Sequence, residues 1–97
     1  MATYIVLTNF TEQGIRSIKD TLKRADAFKE MAGKFGVKVK DLHWTLGQYD
    51  IIATVEGPDD LSATALGLAL SSRGNVRTQT LRAFGAAEMK QILDKIN

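Results

Sequence analysis

Near the middle of the chain two strand-like runs, Val37 to Leu46 and Tyr49 to Glu56, are separated by Gly47-Gln48 alone. A two-residue connection with glycine first fits a type II′ hairpin turn, because glycine takes positive φ without steric cost. That turn fixes a register: Leu46 opposite Tyr49, Thr45 opposite Asp50, Trp44 opposite Ile51 and His43 opposite Ile52. Side chains alternate across a strand, so Leu42, Trp44, Leu46, Tyr49, Ile51, Ala53 and Val55 share one face. His43, Thr45, Asp50, Ile52 and Thr54 share the other. The first set is apolar and is expected against helices; the second is too mixed for a dry core. The alternation of the first run slips phase after Val39, which predicts a β-bulge near Lys40-Asp41.

The flanking sequence supplies matching elements on both sides. Thr3 to Phe10 is β-branched and aromatic, and reads as a strand. Thr11 offers an N-cap hydroxyl, and Glu12 places negative charge where the helix dipole favours it. Ile15, Ile18, Leu22, Ala25, Phe28, Met31, Ala32 and Phe35 then follow at helical spacing, up to Gly36 at the position of a C′ glycine. Asp20-Thr21 resembles a second cap, so a break is expected near residues 19–22. Gly57-Pro58-Asp59-Asp60 is a helix start with an early proline and two acids. The small-sided helix that follows can lie close to a sheet, and Arg73 and Gly74 close it. Asn75 to Phe84 reads as a fourth strand, and Gly85 separates it from a last helix with Met89, Ile92, Leu93 and Ile96.

The order β-α-β-β-α-β-α is that of two βαβ-like halves joined by a central hairpin. This is the ferredoxin-like arrangement, an α+β fold with a four-stranded antiparallel sheet and one additional helix. With 97 residues, no linker and no internal repeat, residues 1–97 are expected to form a single domain. Helices on one face of such a sheet leave the other uncovered. Monomers rarely expose more than a few hundred Å² of contiguous apolar surface. Self-association through that face is therefore expected, with Val6 and Ile52 placed in the exposed patch.

Four segments in order carry a resemblance: Tyr4-Ile5-Val6-Leu7, Arg24-Ala25-Asp26-Ala27-Phe28, Gly47-Gln48-Tyr49-Asp50, and Val76 through Phe84. On these residues the chain resembles the GYD-domain family, small bacterial proteins named for a Gly-x-Tyr-Asp segment. It departs from some relatives at Leu22, where they carry a proline. The resemblance implies a dimeric α/β barrel, in which two four-stranded sheets face each other. That fold class also includes ligand-sensing domains of transcription regulators and small cofactor-free monooxygenases and isomerases. The family brings no activity of its own, and the fold does not decide one.

Several kinds of chemistry are excluded by composition. With no cysteine and one histidine, the chain cannot build a zinc site from the usual nitrogen and sulfur ligands. No phosphate-binding or dinucleotide glycine pattern occurs, and no cofactor or metal is expected. No apolar run approaches the ~20 residues that span a bilayer. The start of the chain goes straight into a strand-like run, which favours a cytoplasmic protein. The net charge of +2 is unevenly spread, with five acids and no base between residues 41 and 60. No basic cluster is interleaved with aromatics, so nucleic acid is not an expected partner.

What remains is a short set of candidate residues. His43 and Asp50 fall diagonally on the face away from the helices, about 7–8 Å apart at the backbone. A carboxylate beside an imidazole can orient it as a general base, and a hydroxyl such as that of Tyr49 could serve as acid. The competing and preferred assignments are that Asp50 braces the hairpin and that Tyr49 is a core aromatic with its hydroxyl satisfied. Thr45, Ile52 and Thr54 would border a small organic ligand held between paired sheets. Arg77 and Arg82 could each bind an anion, although their opposite parity keeps them from one cavity; a salt bridge is the simpler role. The expected protein is a non-catalytic homodimeric binding or structural module, and the alternative is a cofactor-free enzyme using His43 and Asp50.

Overall fold

Residues Ala2–Phe10 form β1, and its antiparallel partners on either side are the two later strands β3 (Ile51–Gly57) and β4 (Val76–Ala83). β2 (Lys38–Trp44) pairs with the far edge of β3, so the sheet order is β2-β3-β1-β4. These positions come from a computed structural model that describes residues 1–96. The sheet is four-stranded and antiparallel, with helices crossing between β1 and β2 and between β3 and β4, as the ferredoxin-like reading requires.

The crossover between β1 and β2 is broken, as expected from Asp20-Thr21. A short α1 (Glu12–Arg16) and a 3₁₀ turn (Ile18–Asp20) precede α2 (Thr21–Lys34). The Thr11 hydroxyl accepts the Gly14 N–H at 3.1 Å and caps α1. Asp20 sits at the N-cap of α2 but makes no side-chain cap bond. The break is instead bridged by Arg24, whose guanidinium donates to the carbonyls of Ser17 at 2.9 Å and Gly14 at 3.0 Å. Gly36 ends the crossover at φ 72°, and the Val37 N–H returns to the Ala32 carbonyl. Asp59 caps α3 (Asp60–Ser71) by accepting the Ser62 N–H at 2.8 Å, which holds the Asp59 carboxyl below its ordinary pKa. Gly74 at φ 87° turns the chain into β4.

One face of the sheet carries the core. Tyr4 and Val6 of β1 and Ala53 and Val55 of β3 pack on Phe28, Met31 and Ala32 of α2 and Ala63 and Leu66 of α3. Val55 is 1 % exposed, and burying such a side chain is worth about 1.5–3 kcal/mol. Val6 therefore belongs to the core and not to the uncovered patch. Its partner across the sheet is Ala53, a core residue, whereas the outward positions of β1 are Ile5 and Leu7. The helical spacing overstated the buried stripe up to the first turn of α2: Ile15, Ile18 and Leu22 are all exposed.

The hairpin keeps the expected register, with His43 opposite Ile52 and Trp44 opposite Ile51, and the ladder shifts between Val39 and Asp41 where a bulge was expected. Its connection is longer than two residues. Thr45 to Asp50 lie outside both strands, with Gly47 at φ 121°. Leu46 projects fully into solvent, and Tyr49 is half-buried and outside the core. The buried tyrosine is Tyr4. Trp44 is also partly exposed, with its indole N–H donating to the Thr21 hydroxyl at 2.9 Å.

α4 (Ala86–Asp94) stands apart from this body, with no residue fully buried. It makes the molecule long: the radius of gyration is 14.6 Å, against about 13 Å for a compact domain of this size. The extents are 52 × 30 × 18 Å. The short dimension is that of one helix layer on one sheet, since packed layers are about 10 Å apart.

Candidate functional surfaces

The sheet face away from α2 and α3 has no covering element. Antiparallel partners point the same way, so the register identifies its residues. Ile5 lies between Thr54 and Leu81, and Leu7 between Ile52 and Gln79. Ile5, Leu7, Ile52 and Leu81 thus make a contiguous apolar patch across β3, β1 and β4. Polar side chains border it: Asp41 and His43 on β2, Arg77 and Gln79 on β4. This is an apolar centre with a polar rim, the usual layout of a protein interface.

The candidate acid–base pair is not joined. Asp50 extends the β1–β3 ladder: its N–H donates to the Thr8 carbonyl at 2.9 Å, and its carboxylate accepts the Phe10 N–H at 2.8 Å. Its carbonyl takes the Thr45 N–H, and the Thr45 hydroxyl donates to the Tyr49 carbonyl at 2.5 Å. Gly47 through Asp50 is therefore a loop closed on itself and stitched to the end of β1. His43 has a different carboxylate beside it, that of Asp41 at 4.0 Å, and both side chains are mostly exposed. Among the described residues no group of three His, Cys, Asp or Glu could hold a metal ion.

Arg77 and Arg82 lie on opposite faces, as their parity requires. Arg77 pairs with Asn9 on the open face and is exposed. Arg82 pairs with Tyr4 on the helix face, stacks on the Phe84 ring at 4.5 Å, and binds the Glu88 carboxylate at 2.9 Å. That hydrogen bond holds the Glu88 carboxyl below its ordinary pKa. Arg82 is thus the tether of α4. The Tyr4 hydroxyl donates to the Asp60 carboxylate at 2.5 Å, which, with burial, raises the tyrosine pKa.

A second feature lies on the opposite side of the sheet and was not visible in the sequence. A cavity of about 90 Å³ opens between the ends of β1 and β3 and the start of α2. Its wall is mostly apolar, including Val6, Phe28, Ala53 and Val76, with Thr8, Thr21, Arg24, Arg73 and Asn75 as its polar members. None of His43, Thr45, Tyr49, Asp50, Ile52, Thr54, Arg77 or Arg82 lines it. Arg24 and Arg73 line the same cavity only because the fold brings distant parts of the chain together. No periodicity marks such a convergence. The rim is firm: Thr11 donates to the carbonyls of Asn75 and Gly74, and Gln13 to the Arg73 carbonyl and the Asn75 side chain.

Comparison with known proteins agrees with this architecture. The GYD domain profile matches residues 4–93. A Thermus thermophilus protein named "Glutamine synthetase and cystathionine beta-lyase binding protein" is 34% identical over 90 residues, covering 92% of this chain and 95% of that one. The crystal structure of TTHA0845, also from Thermus thermophilus, superposes with a TM-score of 0.58 at 26% identity. The match covers 89% of this chain and 96% of that one.

Proposed function

This chain belongs to the GYD domain family, and we propose from that premise that it is a non-catalytic binding protein. It pairs with a second copy through its open sheet face, and the pair docks on metabolic enzymes. The observation that carries the reading is the uncovered patch of Ile5, Leu7, Ile52 and Leu81. Leu81, on the edge strand β4, is 39 % exposed, and a monomer would leave the patch facing water at a cost of about 25 cal/mol per Å². Two such sheets face to face would bury it and leave the helices outward. Thr54, His43 and Arg77 then border the space between the sheets, where a small organic ligand would meet them.

The name of the Thermus thermophilus relative supports enzymes as partners. The hydrogen bond from Phe10 to Asp50 supports binding over acid–base chemistry, because that carboxylate already serves the backbone. We also take the chain to act as a single domain in the cytoplasm. Calorimetric titration of the protein against glutamine synthetase and cystathionine β-lyase from its own source tests the partner. Saturable binding to either is expected, and no heat with both at tens of micromolar would defeat the enzyme-docking reading.

A further inference from the structure

The cavity on the helix side of the sheet is independent of the open face and of any partner docked there. It combines features that a packing defect would not need. Thr8 is a buried polar residue at 5 % exposure in the cavity wall. Its carbonyl serves the Asp50 N–H, but among the described residues its hydroxyl has no hydrogen-bond partner. No buried side-chain oxygen or nitrogen there is sealed off without a partner, so the Thr8 hydroxyl reaches the open space of the cavity. A hydroxyl that faces open space without a protein acceptor is free to donate to an occupant.

The charges point to the kind of occupant. Arg24 and Arg73 both line the cavity, and no Asp or Glu does. Among the described residues neither arginine forms an ion pair. Arg24 spends donors on two backbone carbonyls, which fix its guanidinium at the α1–α2 break without neutralising it. Arg73 is held through its backbone, by Gln13, and its side chain is exposed. Two guanidinium groups without a carboxylate partner on a mostly apolar wall suit an anionic head with an apolar tail.

Size narrows the tail. About 90 Å³ is several times the ~10–15 Å³ that a single water needs on the same measure, room for a short organic tail and too little for a large one. We propose that this cavity is a binding site for a short-chain aliphatic monocarboxylate, its tail against Phe28 and Val76 and its carboxylate between Arg24, Arg73 and the Thr8 hydroxyl. An amino acid of the same tail is disfavoured, because its ammonium would be set against two guanidinium groups with no acid to receive it.

Amide NMR titration with isovalerate tests the site, with isoamyl alcohol and leucine as controls and three proteins compared: wild type, Arg73→Gln and Thr8→Val. Saturable shifts of the Ala25 and Val76 amides are expected, with a dissociation constant of about 1 mM or tighter. The alcohol and leucine should bind at least about threefold more weakly, and Arg73→Gln should lose about threefold, the scale of one exposed ion pair. Thr8→Val should also weaken the acid, and Arg73→Gln keeps the comparison valid if Thr8→Val is poorly folded, since the Arg73 side chain supports nothing. The proposal is overturned by any of four results: no saturable shift, equal affinity for acid and alcohol, unchanged affinity in Arg73→Gln, or shifts confined to Ile5 and Leu81.

Discussion

The Asp50 carboxylate accepts the backbone N–H of Phe10 at 2.8 Å, across 40 residues of sequence. This one contact joins the hairpin loop to the end of β1 and ends the ladder with a side chain where a strand would use a carbonyl. Asp50→Ala leaves the Phe10 N–H unpaired and should cost about 1–3 kcal/mol in urea unfolding. Asp50→Asn keeps an acceptor oxygen and should cost less. An Asp50→Ala protein as stable as wild type would remove Asp50 from the scaffold.

Gly47 turns that loop at φ 121°, with no atom near the place a Cβ would occupy. The cost of replacing it is therefore one of backbone conformation alone. Gly47→Val should lose about 1–2 kcal/mol, while Gln48→Ser should be neutral within experimental error. Equal stability of the two variants would contradict the assignment.

Gly14 is needed for a different reason. A Cβ there would lie 2.0 Å from the Asn75 carbonyl oxygen, a backbone atom that cannot swing aside. Gly14→Ala should force α1 off the loop before β4 and cost about 1–3 kcal/mol, the range for overpacking. The melting temperature should fall even though alanine is the better helix former. An unchanged or raised value would show that α1 does not hold this close approach.

The ionisation of Tyr4 should set the alkaline limit of stability. Its folded pKa is raised above 10.0, first by the hydrogen bond to Asp60 and then by burial. A raised folded value means that the contribution is complete below the unfolded pKa and is lost as pH climbs through the folded one. Urea midpoints should drop above pH 10 in the wild type and drop less in Tyr4→Phe. On the acid side the sign reverses for Glu88, whose pKa the Arg82 hydrogen bond holds below 4.5. Its contribution is present above that value and fades as pH falls through the folded one. Identical pH profiles for wild type and Tyr4→Phe would contradict the Tyr4 account.

The parts legible in the sequence were those carried by local pattern. Alternation and turn chemistry gave the hairpin register, the bulge at Val39 to Asp41, and the break before Thr21, because each depends on neighbours in the chain. The sheet face of Val6 was misassigned because β1 is nearly continuous in β-forming residues, and Ile5, Val6 and Leu7 offer no contrast between faces. Its pairing with Ala53 decides the matter. Tyr49 and Leu46 left the expected core because the ladder ends at Trp44, and parity means nothing beyond the last rung. The helix-side cavity was invisible for a similar reason: Thr8, Arg24 and Arg73 stand far apart in sequence, and only the closing of α1 on the β4 loop brings them together.

Pairing through the open sheet is most directly tested by the mass in solution at micromolar concentration. Light scattering should give at least twice the chain mass of 10.6 kDa for the wild type. Ile52→Lys sets a charge in the apolar patch and should return the protein to a folded monomer. A monodisperse wild-type monomer, or an Ile52→Lys protein that keeps the full oligomeric mass, would contradict pairing through this face.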